Sequence, residues 1–361
     1  MRPLPIIVLS LTVAGAAPLA AQDSSPGLGD SAYVAGDYRV FTGAGSPASI
    51  DDIVAAMAAV EVVFVGETHD DPTGHALELQ LLEGAWRAYG AAAGDSAGAE
   101  DGAAGRSRSG TRPVALSLEF FQHDVQPVVD EYLAGLITEK AFLADSRPWP
   151  RYRTDYRPLV EFARERGLAV VAANSPRRYA NRVSRLGRES LADLSAEAKA
   201  SIAPLPYGQP SPAYRDQWIQ TIMAVMKEEG TKCGKPIAAA APTDSTAATV
   251  PPARHSAHEG MGNQLHSQAL WDATMAYWID DHLVRNPDAL VLHMVGSFHV
   301  ERGTGTPEHL ERYRPGTSLL IVVLRPVADI DAFEPAPSGR WGDFVIQTDE
   351  SRTLEAIECR Q

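Results

Sequence analysis

The sequence predicts an α/β fold: a mostly parallel central sheet flanked by helices, with a helical insertion. Three observations lead there. Short runs of β-branched and apolar residues alternate along the chain with amphipathic segments. Those runs are apolar at nearly every position instead of at every second one, as expected of parallel strands covered on both faces. The segments between them open with a polar residue followed by proline, a pairing suited to helix N-termini. At 361 residues with a hydrophobic share of 45%, the chain has enough apolar material for one large core.

Taken in order, MRPLPIIVLSLTVAGAAPLAAQDS begins with one Arg ahead of a short apolar run that ends in small residues. This is the layout of a cleaved secretory signal, expected over residues 1–21. Residues 22–48, rich in Gly, Ser, Asp and Pro, read as a flexible leader, and a single domain is expected over 49–350. Within it the strand candidates are EVVFVG (61–66), VALSLE (114–119), LAVVAAN (168–174), LVLHMVG (290–296) and SLLIVVL (318–324). FVIQT near the C-terminus reads as an edge strand.

Asp71 with Pro72 opens a helix that would present His75, Leu79, Leu82, Trp86 and Tyr89 as a stripe. Asp155 is expected to cap YRPLVEFARER, which stops at Gly167. Ser175 with Pro176 and Thr306 with Pro307 repeat the polar-then-proline opening, and the added helical region is expected between about 176 and 285. Residues 91–113 and 230–262 lack large apolar side chains and read as low-complexity surface insertions. No internal repeat is visible.

A formal net charge of -14 argues against a nucleic-acid partner, which needs a basic face. No stretch after the signal is long and apolar enough to span a membrane. The chain is therefore expected to be soluble after signal cleavage, in the periplasm or outside the cell. Cys233 and Cys359 could pair in an oxidising compartment or stay free, and they lack the spacing of a zinc ribbon or a haem attachment motif. No P-loop, HExxH or GxSxG elbow is present.

The candidate chemistry lies at strand ends, where open parallel sheets bind ligands. The first strand runs into Gly66, Glu67, Thr68 and His69; the second ends at Glu119, followed by His123 and Asp124. The third runs into Asn174, Ser175, Pro176, Arg177 and Arg178, and the fourth into Gly296, Ser297, Phe298 and His299. GETH and GSFH each place a histidine shortly after a turn-forming glycine. On the segment around QALWDATMA, Gln268 and Asp272 interrupt an apolar helical stripe, either as partly exposed residues or as inward-facing members of the pocket. His75 poses the same choice between a core histidine and a pocket residue.

Such a set supports several chemistries. Glu67, His69, Glu119 and His299 suit a divalent metal such as Zn or Mn. The same four could act without metal, a histidine as general base beside a carboxylate. A His or Tyr could also hold haem iron while Arg meets the propionates. His255, His258, Glu259 and His266 cluster in the second insertion, where a solvated loop is the simpler reading.

With GETHDDPTGH, LEFFQHDVQPVVDEYLAG, WPRYRTDYRPLVEFAR, AANSPRR, QALWDATMA and GSFH in view, the chain resembles the ChaN family of haem-binding proteins, within the erythromycin esterase and Tiki-like superfamily. The resemblance covers most of residues 50–325. It implies export and a role in haem binding or iron uptake. Carried over by motif, it implies a pocket of Glu67, His69, His75, Glu119, Asn174, Arg177, Gln268, Asp272 and His299, with Arg178 beside it and Tyr152 and Tyr156 as axial-ligand candidates. The cofactor expected is haem, the alternative a divalent metal, and the alternative activity a hydrolase of the esterase or Tiki-like metallopeptidase sort. Haem is large and flat, so two subunits could sandwich it in a homodimer. Similar proteins are often lipoproteins, but no lipobox Cys follows the signal here.

Overall fold

The structure, a computed structural model, describes residues 37–90, 111–228, 231–232, 235–236 and 257–354. The expected signal, residues 22–36 of the leader, the centres of both insertions, His255, Cys233 and Cys359 lie outside them. The strands in chain order are β1 (Tyr38–Thr42), β2 (Pro47–Ala48), β3 (Val62–Glu67), β4 (Val114–Gln122), β5 (Ala169–Asn174), β6 (Thr231–Lys232), β7 (Lys235–Pro236), β8 (Leu290–Gly296), β9 (Leu319–Val327) and β10 (Phe344–Asp349). The helices are α1 (Ile50–Ala56), α2 (Pro72–Ala85), α3 (Gln126–Leu133), α4 (Glu139–Asp145), α5 (Tyr152–Asp155), α6 (Arg157–Arg166), α7 (Arg177–Leu186), α8 (Ala196–Lys199), α9 (Pro212–Glu228), α10 (Ala257–Arg285) and α11 (Thr306–Tyr313).

One mixed sheet of eight strands runs in the order β2-β1-β10-β9-β3-β8-β4-β5, while β6 and β7 pair separately. From β10 to β5 every neighbour is parallel, and β1 runs antiparallel to both its neighbours, β10 and β2. The reason is visible in the side chains. Val63, Val65, Leu116, Leu118, Leu292 and Met294 pack into one core with Leu81 and Leu159. Val62, Phe64, Ala115, Val291 and Val295 pack into another with Met275, Ala276 and Ile279 of α10. Alternate residues of one strand thus feed two cores, so both faces must be apolar. The helical insertion is α7 to α10, packed around Val183, Ile202, Ala269 and Ala273.

Several details differ from the expectations. Tyr38–Thr42, within the supposed leader, is a strand with Val40 and Phe41 buried. It pairs with β10, so FVIQT is an interior strand and not an edge. The second insertion ends earlier than expected, because α10 begins at Ala257. Asp71 caps α2 as expected, accepting from the Thr73 N–H at 3.0 Å. The buried face of that helix, however, is His75, Leu77, Glu78, Leu81, Leu82 and Ala85, because α1 as well as the sheet covers it.

Asp155 does not cap α6, whose N-cap is Tyr156 with no side-chain bond, whereas Gly167 ends that helix in the left-handed conformation as expected. Nor does a side chain cap α7 or α11. The sheet ends at β2 and β5, and the β5 edge is blocked: the Gln126 amide donates to the Val170 carbonyl and accepts from the Ala172 N–H, and His123 bonds the Ala172 carbonyl. Side chains thereby occupy polar groups that would otherwise recruit another strand. Among the described residues no helix is long and apolar enough to cross a membrane.

Candidate functional site

The three adjacent strands β3, β8 and β4 deliver the centre of the site. Glu67 is the last residue of β3 and is buried. Its Oε1 accepts from His69 Nδ1, and its Oε2 accepts from His75 Nε2 at 3.2 Å. The Tyr156 hydroxyl reaches Oε1 at 3.5 Å. Burial opposes the charge on Glu67, but the hydrogen bonds and positive charge of His69 and His75 outweigh it and bring its pKa down to about 2. The ordinary geometry of a strand cannot do this alone. His69 is held by the Arg151 guanidinium, which donates to the His69 carbonyl and to Asp155 at 2.7 Å.

The second half of the site is His299. Its Nδ1 donates to Asp272 Oδ1 at 2.8 Å, and Asp272 also accepts from the Thr306 hydroxyl at 2.9 Å and from Tyr214. Asp272 is completely buried, so the inward-facing reading of that residue holds. Burial pulls the His299 pKa down, but Asp272 and then Glu119 reverse the effect and push it up to about 9. Burial acts the same way on His69, and Glu67 and Glu119 again win, so its pKa is also raised.

Glu119 joins the halves. The register of β4 against β5 slips between Leu118 and Gln122, so β4 continues past Glu119 through an irregular turn of pairing. Glu119 Oε2 accepts from the Gly296 N–H at 2.8 Å, and Oε1 lies 3.7 Å from His299 Nε2. A Cβ on Gly296 would stand 3.0 Å from His69 Cε1 and 3.2 Å from Nε2. The glycine of GSFH is therefore what lets the imidazole of GETH lie against the end of β8. The result is one continuous array: His75, Glu67, His69, Glu119, His299, Asp272.

The remaining expected residues fall into two groups. Asn174 is buried at the end of β5, where its side-chain Oδ1 accepts from the Ser175 N–H at 2.8 Å. The Arg177 guanidinium lies 5.5 Å over the Trp149 ring, and that ring stands 4.9 Å from His69. Arg178 is paired with Asp124, which Arg147 also contacts. Gln268 is half-buried one turn before Asp272 and makes none of these bonds. Tyr152 lies apart from these bonds: its hydroxyl is buried without a partner among the described residues, packed near Phe121 and Phe142. Tyr156 points the other way, toward Glu67, because the chain turns between α5 and α6. His266 is in α10, its Nδ1 unpartnered among the described residues.

Residues that the sequence did not mark as pocket members complete the site. Tyr214 and Thr306 hold Asp272, Asp155 stands 3.9 Å from His75 Nδ1, and Trp149 walls His69. Glu78 is wholly buried with neither carboxylate oxygen bonded among the described residues, and burial followed by the charges of Glu67, Asp71 and Asp155 raises its pKa well above the usual range. Of these, Thr306 and Asp155 carried a sequence signal, and in both cases it suggested a helix cap instead. Among the described residues no group of three or more His, Cys, Asp or Glu is arranged to hold a metal ion. The histidines and carboxylates are instead bonded to one another.

A family model described as haem-binding uptake, Tiki superfamily, ChaN matches residues 53–310. The chain belongs to the ChaN family. Its fold agrees: the structure titled cofacial heme binding to ChaN of Campylobacter jejuni aligns over 86% of this chain and 97% of that one, at 14% identity and a TM-score of 0.57. A mutant erythromycin esterase, EreC, in its open conformation aligns over 86% and 83%, at 11% identity and a TM-score of 0.39. No curated protein sequence matches the chain.

The strand-end cluster has side chains of a kind that fits haem. His69 is the half-exposed imidazole, with 48% of its side chain open, and its Nδ1 is fixed by a buried carboxylate so that Nε2 is the free nitrogen. A carboxylate behind a ligating histidine orients it and raises its basicity. Trp149 offers an apolar wall, and Arg177 supplies a guanidinium beside it.

Proposed function

We propose that this ChaN-family protein is exported and binds haem at the strand-end site, serving haem or iron uptake. The observation that carries the reading is the half-exposed His69, whose Nδ1 donates to the buried Glu67. His69 would face the iron, Trp149 would cover part of the macrocycle, and Arg177 and Arg178 would meet the propionates. Bound haem would supply a coordinated iron centre. The protein's own residues orient the imidazole, shield one face and balance the anionic edge. The N-terminal sequence, with its Arg and short apolar run, supports export.

Titration of the purified apo-protein with haemin tests this. The expected result is a saturable Soret shift at micromolar haemin that weakens at least tenfold in His69→Ala. No saturable shift in the parent protein would remove the proposal. Two subunits sharing haem remain part of it, with sedimentation before and after loading as the check.

One observation favours a second reading, hydrolysis: the buried pair of His299 and Asp272 stands beside Glu119. With its pKa pushed up to about 9, His299 is cationic at neutral pH. It would therefore stabilise negative charge or donate a proton, and would not serve as the general base expected from sequence. A screen of ester and peptide substrates, with and without added Zn or Mn, separates this reading. Turnover lost in His299→Ala without haem would favour it.

A further inference from the structure

The helical insertion contains a cavity of about 500 Å³, lined by none of the residues of the strand-end site. We propose that it is a second ligand site, taking a small amphiphile with an apolar body and one carboxylate. Its volume is in the range of small-molecule pockets. Pro204, Leu205 and Pro206 supply an apolar wall, and Tyr207 continues it.

The polar side of the cavity is cationic. Arg188 and Lys199 line it against a single carboxylate, Glu189, which is exposed. The Arg188 guanidinium is fixed: one nitrogen donates to the Tyr207 carbonyl and the group lies 4.4 Å over the Tyr207 ring. Its Nη1 is nevertheless buried with no partner among the described residues. A guanidinium stays charged, and a buried donor without an acceptor is unfavourable. A carboxylate supplies an acceptor of the right charge. Lys199 spends one donor on the Ala192 carbonyl at 2.6 Å and has others left for the same anion.

The wall is also built before any ligand arrives. Ala203 N–H donates to the Thr274 hydroxyl at 3.2 Å, and the Tyr207 hydroxyl donates to the His266 carbonyl at 2.8 Å. The 203–207 segment is thus bonded to α10 at both ends. Binding to a preformed wall avoids an ordering cost.

Isothermal titration of the full chain with sodium decanoate, and with decylamine as a cation of equal length, tests the proposal. Decanoate should bind saturably at one site, at least tenfold more tightly than decylamine. Ala192→Trp, at an exposed lining position, should abolish binding, Arg188→Gln should weaken it at least tenfold, and His69→Ala should leave it unchanged. The proposal is overturned by the absence of saturable heat, by equal affinity for decylamine, by binding that persists in Ala192→Trp, or by displacement of decanoate with haemin. Because Ala192 is exposed, that variant keeps the test decisive should Arg188→Gln fail to fold.

Discussion

Replacing Asp272 with Asn removes one charge and almost no volume from the most buried part of the site. Asp272 accepts three hydrogen bonds, and the one from His299 at 2.8 Å is charged. His299 rises from 6.5 to about 9 although burial alone would lower it, and Asp272 is the largest of the raising influences. A folded pKa above the unfolded one stabilises the protein fully below pH 6.5, and that stability is lost as pH rises through 9. At about 1.4 kcal/mol per pKa unit, the shift corresponds to about 3 kcal/mol. Asp272→Asn should therefore lower stability by about 3 kcal/mol at pH 6 and by much less at pH 10, where His299 is neutral in the parent. Urea unfolding at both pH values measures this, and imidazole ¹⁵N NMR should show the His299 pKa falling by about two units. An equal loss at pH 6 and 10, or a His299 pKa still near 9, would refute the reasoning.

Further outcomes follow from the same geometry. Glu78 is raised by burial, so its proton is needed for folding above the ordinary carboxylate range; Glu78→Gln should stabilise the protein by about 1 kcal/mol at pH 8 and leave it unchanged at pH 4, as read by thermal melts. Gly66→Ala should cost about 2 kcal/mol in urea unfolding, because the new Cβ meets Val300 Cγ2 at 2.8 Å and the Ser297 Cα at 2.9 Å. Gly296→Ala should cost less, since half-exposed His69 can yield, yet it should weaken haemin binding by displacing that ring. His69 must lose its proton to ligate iron and its pKa is raised, so haemin affinity should increase between pH 6 and pH 9; a flat profile would point to another ligand.

The central strands were legible because burial on two faces leaves no alternation to confuse their reading, and LVLHMVG is a strand at the expected residues, Leu290–Gly296. YRVFT was not, because five residues inside a Gly- and Pro-rich stretch carry little signal until β10 pairs with them. The pairing of GETH with GSFH was visible because each histidine follows a strand end and both strands lie in one parallel sheet. Tyr152 was misplaced for a geometric reason. Four residues before Tyr156 it would share that residue's face in a continuous helix, but α5 ends at Asp155 and the two rings part. Tyr214 and Glu78 left no sequence mark, since a lone polar residue in a helix shows its burial only once the neighbouring elements close over it.

Glu119 decides whether the array is one site or two. Its carboxylate is bonded to the Gly296 N–H, and it raises the pKa of both His69 and His299, whereas Asp272 is bonded to His299 alone of the two. His299 in turn lowers His69, as one cation lowers another. The two substitutions should therefore separate. Glu119→Gln should depress both imidazoles in one NMR titration, while Asp272→Asn should depress His299 and leave His69 level or slightly higher. If Glu119→Gln moves only one of them, the two histidines answer to separate carboxylates, and a ligand bridging GETH to GSFH loses its electrostatic basis.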